Sequence, residues 1–149
     1  MILLSACLAG VPCRYDGASK AAPELMALAL RGEAVLVCPE VLGGLPIPRI
    51  PSERQPDGSV KNRAGADVTA QYRLGAERAL AICKARGCDC AVLKARSPAC
   101  GAGCVYDGSF THTKTPGDGV FAALLREAGI PVFTEEDYPA GLTKGETEP

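Results

Sequence analysis

Two stretches of the chain repeat the same order of residues: SACLAGVPCRYDG at 5–17 and SPACGAGCVYDG at 97–108. Each runs Ser, Cys, a turn of small residues, a second Cys and Tyr-Asp-Gly. Thiols gathered from separate parts of a chain form disulfides, do redox chemistry or hold thiophilic metals. The chain has eight cysteines and one histidine, His112. A disulfide framework requires an oxidising compartment. LSAC at 4–7 looks like a lipoprotein processing site, yet six residues precede Cys7 and none is basic, too little for a signal peptide. A cytoplasmic protein is expected, with its thiols reduced and available for metal or redox work.

Whether these cysteines meet depends on the elements that carry them. ILLSA at 2–6 is a short apolar run ending in a glycine-bearing turn, which reads as a buried strand. PELMALALR (23–31) opens with Pro23 and is followed by Gly32, the usual punctuation of a helix. AVLVC (34–38) and CAVLK (90–94) read as further buried strands, and IPVFT (130–134) as a fourth. From Asp67, residues Val68, Tyr72, Ala76, Ala79, Leu80 and Cys83 share one helical face, with Gly87 as terminator. Asp118 is expected to N-cap a helix over GVFAALLREA, closed by Gly129. Residues 43–66 are rich in proline, glycine and charge, with a hairpin turn expected at PDG, 56–58. A loop of that length points to function or partial disorder.

The order β-α-β-loop-α-β-loop-α-β, with strands apolar throughout, predicts one small Rossmann-like α/β domain with a mostly parallel sheet flanked by helices. Its expected extent is 1–135, followed by a polar, loosely held tail at 136–149.

Ligands of open parallel sheets gather beyond the carboxyl ends of the strands. Cys7 follows the first strand, Cys38 ends the second and Cys100 lies in the loop after the third, so all three are expected at one edge. Cys88 and Cys90 fall at the opposite edge, and Cys83 on the helix face behaves as a small hydrophobe. Cys13 and Cys104 lie on the site edge as extra ligands, resolving thiols or bystanders. Structural zinc prefers four ligands, commonly as C-x-x-C pairs, and the chain has no C-x-x-C. An iron–sulfur cluster held by three cysteines keeps one iron open as a Lewis acid. Thiol redox chemistry is the next alternative.

Glu40, two residues after Cys38, is a candidate general acid or base at the same edge, or else a surface carboxylate. Ser97 is a hydrogen-bond donor to substrate or cluster sulfur, or a turn residue. The two Tyr-Asp-Gly segments read as turns. Arg14 either pairs with a carboxylate or clamps substrate. The backbone N–H groups of PGDGV (116–120) either hold an anion or are capped by Asp118.

A net charge of −1 and the absence of tryptophan give no footprint for nucleic acid or an anionic membrane. No apolar run approaches the ~20 residues of a membrane span. A sulfur-installing enzyme would need an activating nucleotide, and no G-x-x-x-x-G-K loop is present.

SACLAGVPCRYDG, VCPEVLGGLPIPR, LKARSPACG and PGDGVFAALLREAGIPVF, in this order, resemble the thiouracil desulfurase family over residues 1 to 135. The resemblance implies a Rossmann-like fold with an oxygen-sensitive [4Fe–4S] cluster on Cys7, Cys38 and Cys100, one iron lacking a protein ligand. It implies removal of sulfur from thiolated uracil, or from its nucleoside or nucleotide, by non-redox C–S hydrolysis at the open iron. The products are the oxo-pyrimidine and sulfide. It further implies Glu40 as the proton-transfer residue and Ser97 as the substrate-orienting group. The partner is a small thiolated pyrimidine, with no membrane. The alternative is a non-catalytic cysteine-based zinc or redox-sensing module. The family's third motif usually reads Ser-Pro-Ser-Cys, and here Ala99 replaces its second Ser.

Overall fold

The structure, a computed structural model, describes residues 1–138. Four parallel strands form the central sheet: β1 (Ile2–Ser5), β2 (Ala34–Val37), β5 (Cys90–Leu93) and β8 (Val132–Thr134), in the order β2-β1-β5-β8. This is the expected architecture, and its strand order places a topological switch between β1 and β5. The connection from β1 leads to β2 on one side, and the next strand of the sheet is laid down on the other.

Helices cover both faces. α3 (Thr69–Ala85) and α4 (Val120–Glu127) pack on one face through Tyr72, Ala76, Ala79, Cys83, Phe121 and Leu125, against Leu3, Val35, Val37, Ala91 and Leu93. The expected helical stripe of α3 is thus the buried one. α1 (Pro23–Leu30) packs on the other face through Leu25 and Leu28, with Leu8, Leu4, Val92 and Tyr138. β1 alternates between the two cores as the pleat requires, Leu3 to one and Leu4 to the other.

The long segment 43–66 forms the expected hairpin, β3 (Ser52–Arg54) with β4 (Val60–Asn62), in antiparallel register Glu53 to Lys61. A second hairpin was not foreseen: β6 (Cys104–Tyr106) with β7 (Lys114–Pro116). Both hairpins lie off the sheet. Glu53 joins them, its Oε1 accepting the Gly108 and Phe110 N–H groups at 3.0 and 3.1 Å.

Contacts lie on both sides of the expected boundary between domain and tail, at Glu135 before it and Tyr138 after it. The Glu135 carboxylate accepts the Ala95 N–H at 2.7 Å and pairs with Lys94 at 3.3 Å, and Tyr138 is buried. Residues 139–149 of the tail lie outside the described residues. Among the described residues no helix is long and apolar enough to cross a membrane.

Candidate functional site

A cavity of about 420 Å³ opens at the carboxyl ends of β1, β2 and β5, beside the switch point. Its walls include Cys7, Cys38 and Cys100, Glu40 and Ser97, so the five expected site residues line one space. Cys13 lines it too, making a fourth thiol, whereas Cys104 does not. The paired loops therefore face one another across a shared cavity, but only the first sends both of its cysteines there.

Cys7 lies in the short 3-10 turn Ala6–Ala9 that continues β1, closed by Gly10 in the left-handed conformation (φ 98°). Cys100 is fixed more elaborately. The Ser97 Oγ accepts the N–H groups of Ala99 and Cys100 at 3.1 and 3.0 Å, folding the loop into a tight turn. The first N–H groups of α4 then bond the carbonyls of that loop, Val120 to Pro98 and Phe121 to Ala99, both at 2.9 Å. A helix start leaves such donors without intrahelical partners, and here the cysteine loop takes them.

That contact corrects the expected role of Asp118. Gly119 occupies the cap position with no side-chain cap, while the Asp118 carboxylate accepts the Gly103 N–H at 2.7 Å and pairs with Arg126 at 3.0 Å. It fastens the loop to the helix from outside. A Cβ on Gly119 would lie 2.5 Å from the Ala99 carbonyl, so a capping side chain has no room at that position. Anion binding at PGDGV is not open to these groups either, since the Gly119, Val120 and Phe121 N–H donors are taken by the loop.

Cys38 stands at the N-cap of the single-turn α2 (Pro39–Leu42), directly after β2, with Glu40 in the first turn. α2 is pressed onto α3 through two glycines. A Cβ at Gly43 would stand 2.0 Å from the Gln71 carbonyl oxygen, and one at Gly75 would stand 1.7 Å from that of Pro39. Backbone therefore meets backbone, and the Cys38–Glu40 turn is set against the long helix.

Two residues that sequence reasoning missed hold Glu40. The Arg49 Nε donates to the Glu40 Oε1 at 2.8 Å, with both side chains largely buried. The same guanidinium bonds the Cys13 carbonyl at 3.0 Å and the Pro46 carbonyl at 3.1 Å, and the Arg49 backbone N–H bonds Tyr15 at 2.7 Å. Tyr72, buried on α3, hydrogen-bonds Glu40 and Ser52 through its hydroxyl. Burial first, and then the Glu40 charge, push that phenol far above its ordinary range. The available signal was the arginine of GLPIPR, which was read as part of a motif without a partner.

Ser5 was also missed. Its buried hydroxyl donates to the Cys100 Sγ at 3.3 Å and accepts the Lys94 N–H at 3.0 Å. Burial pushes the Cys100 thiol up to about 12 against the opposing bonds from Ser5 and Ser97. Hydrogen bonding to Cys13, followed by burial, holds the Cys38 thiol well above its ordinary value. For Cys13 the bond with Cys38 pulls down, but the bond with Cys7 and burial outweigh it, to about 11.

On the far edge Cys83, Cys88 and Cys90 stay away from the cavity, as expected. Arg14 stacks over the Tyr15 ring at 5.8 Å. Among the described residues no three His, Cys, Asp or Glu side chains converge on one metal-ion position.

A model of the 2-thiouracil desulfurase family matches residues 2–137. The chain belongs to this family. The chain is 39% identical over 146 residues to the uncharacterized protein YbbK of Bacillus subtilis (strain 168), covering 92% of this chain and 97% of that protein. It also matches a solved structure, described as the [4Fe-4S]-dependent thiouracil desulfidase TudS, at 47% identity and a TM-score of 0.90. That likeness covers 98% of this chain and 97% of the other. The α/β fold with its four-stranded parallel sheet is thus the fold of a solved member of the desulfurase family.

Proposed function

We propose that this chain is a [4Fe–4S]-dependent desulfurase that takes sulfur from thiolated uracil, giving the oxo-pyrimidine and sulfide. The observation that carries the reading is the meeting of Cys7, Cys38, Cys100 and Glu40 in one cavity of a 2-thiouracil desulfurase family member.

The residues present fit such a cluster. Its irons are distributed, so each thiolate binds its own metal and no single convergence point is needed. Structural zinc is commonly held by C-x-x-C pairs, and the chain has none. Cys7, Cys38 and Cys100 reach the cavity from three strand ends, and the Ser5 hydroxyl is aimed at one of these sulfurs. Held by Cys7, Cys38 and Cys100, a cluster would supply Lewis acidity toward a thiocarbonyl sulfur.

The remaining chemistry is the work of side chains. Water replaces sulfur at the pyrimidine carbon, and hydrosulfide leaves, with no net oxidation. The Glu40 carboxylate takes the proton of the attacking water and returns it during sulfur departure. Arg49 and Tyr72 keep it facing the cavity. Ser97 already accepts two backbone N–H groups at its oxygen. Its O–H is therefore the group left to give, to the substrate or to Cys100.

The cavity wall also speaks to the form of the substrate. Arg49, Lys94 and Arg96 are paired with Glu40, Glu135 and Glu136. Arg14, Lys20 and Arg63, on the same wall, have no carboxylate partner among the described residues. Unpaired cations at a cavity mouth favour an anion, so the nucleotide form fits better than the free base.

The test is anaerobic purification, reconstitution with iron and sulfide, a visible spectrum, and iron and acid-labile sulfide per chain. Glu40→Gln is expected to keep the cluster and abolish sulfide release from thiouracil or its nucleotide. A colourless protein overturns the reading in favour of a zinc or thiol module, and undiminished sulfide release from Glu40→Gln overturns the proton-transfer role given to Glu40.

A further inference from the structure

Four thiols line the cavity, and the proposed cluster uses three. Cys13 is the fourth. Its side chain is 4% exposed and stands in hydrogen-bonding contact with the thiols of Cys7 and Cys38. The contact with Cys38 is double, because the Cys38 Sγ also reaches the Cys13 carbonyl at 3.9 Å. The Arg49 guanidinium holds that carbonyl from the Glu40 side. Of the four cavity thiols Cys38 is the most accessible, the other three being buried.

We propose that Cys13 is a resolving thiol, which joins Cys38 in a reversible disulfide when the site carries no cluster. The oxidant is a small-molecule disulfide. The Cys38 sulfur attacks one of its sulfurs, forming a mixed disulfide and releasing one small thiolate. The Cys13 sulfur then attacks the Cys38 sulfur, and the second small thiolate leaves. Two protein thiols are oxidised by two electrons, the small disulfide is reduced to two thiols, and the two protein protons go to the leaving groups. Excess small thiol reverses both steps.

The pairing follows from exposure and contact together. An oxidant reaches Cys38 first, and Cys13 is the thiol already against it. Without a neighbour, a singly modified Cys38 would stay a mixed disulfide until a small thiol removed it. The effect on iron loading rests on the proposed ligand role of Cys38, whereas the disulfide itself does not.

The test uses the metal-free full chain, treated anaerobically with glutathione disulfide and digested with trypsin. Peptide 1–14 carries both Cys7 and Cys13, and peptide 32–49 carries Cys38. Fragment ions between Cys7 and Cys13 therefore assign the bond. The expected result is a Cys13–Cys38 link in the wild type, and in Cys13→Ser its loss with Cys38 left as a glutathione adduct. Cys13→Ala gives the same readout if the serine variant folds poorly. The oxidised wild type is expected to take up no iron until thiol treatment restores full loading, and reduced Cys13→Ser to load iron like the wild type. A Cys7–Cys38 link, an unlinked Cys38 adduct in the wild type, or loss of the cluster from reduced Cys13→Ser overturns the proposal. The last outcome would make Cys13 a fourth ligand. If the link forms but reduced wild type binds no iron, the cluster reading fails and the resolving thiol stands.

Discussion

Arg49 and Glu40 meet at 2.8 Å inside the cavity, although one ends a proline-rich loop and the other opens a helical turn. The pair does more than neutralise charge, since the guanidinium also bonds the carbonyl of Cys13. One side chain thus ties the carboxylate proposed for proton transfer to the first cysteine loop. Removing one partner of a buried pair leaves the other charge stranded, at a cost of about 3–5 kcal/mol. Arg49→Met is therefore expected to lower the melting temperature by roughly 10 °C. Adding Glu40→Gln to Arg49→Met is expected to cost less than the two changes summed, which a double-mutant cycle by chemical denaturation measures.

Gly43 and Gly75 set a second constraint, this time on where α2 can stand. An added methyl at either position would overlap a backbone carbonyl of the opposing helix. No rotamer change relieves that clash, so the helices must part and Cys38 must move. Gly75→Ala is expected to lower stability by several kcal/mol, more than the usual ~1–3 of overpacking, and to reduce iron per chain after reconstitution. Gly44→Ala is the control. Its methyl meets nothing, though its φ of 90° strains any side chain. It is expected to cost about 1–2 kcal/mol while leaving iron content unchanged.

These two relationships explain what was legible in the sequence. Periodicity and punctuation reveal which residues are strand ends, and a parallel sheet brings strand ends together. Cys7, Cys38, Cys100 and Glu40 were therefore found by position alone. Arg49 was not, because its partner depends on how a proline-rich loop folds back, and no periodicity encodes that. Ser5 was missed for a related reason. It resembles the last residue of a strand, and its bond to Cys100 crosses between strand ends. Asp118 misled by type: aspartate before a helix reads as a cap, but the donors it would have satisfied are taken by the 98–101 loop. The β6–β7 hairpin carries short, mixed segments, CVY and KTP, too brief for alternation to show.

Loss of the Ser5 hydroxyl removes a donor to the Cys100 sulfur and the acceptor of the Lys94 N–H together. A buried N–H left without a partner costs about 1–3 kcal/mol. Ser5→Ala is expected to show that loss by denaturation, and to lower the reduction potential of the reconstituted cluster, because hydrogen bonds to ligating sulfur raise it. Ser5→Thr, which keeps the hydroxyl, is expected to restore most of both. An unchanged potential in Ser5→Ala would mean the hydroxyl serves only the backbone.

Stability of the metal-free chain has an acid limb and an alkaline limb. Asp57, Asp67 and Asp107 each accept the hydroxyl and then the backbone N–H of the residue two places on, which holds them below the ordinary carboxylate range. Their contribution is present above the unfolded value of about 3.9 and is lost as pH falls through the depressed folded values. Cys83 runs the other way: burial first, then the charge of Cys88, push its thiol to about 11. Its contribution is complete below the unfolded thiol value of about 8.5 and is lost as pH rises toward the folded one. Melting temperatures across pH are expected to fall at both ends. Cys83→Ala lowers the plateau through its cavity yet flattens the alkaline limb, and Asp57→Asn with Asp107→Asn flattens the acid one.

The unpaired cations at the cavity mouth give the last prediction. Arg14, Lys20 and Arg63 line the wall without a carboxylate partner among the described residues, and Arg63 is braced over the Phe110 ring at 5.6 Å. A phosphate on the substrate would meet them, and a free base would not. Exposed charge pairs of this kind contribute up to about 1 kcal/mol each, or about five-fold in KM. Lys20→Gln with Arg63→Gln is expected to raise KM for thiouridine monophosphate by about ten-fold or more, with kcat little changed and thiouracil kinetics unmoved. Salt should act in the same direction, weakening the nucleotide and sparing the base, because screening reaches exposed charges within about 10 Å at 0.1 M. Equal effects on both substrates would place these cations outside the substrate's reach and leave the free base as the better-fitting form.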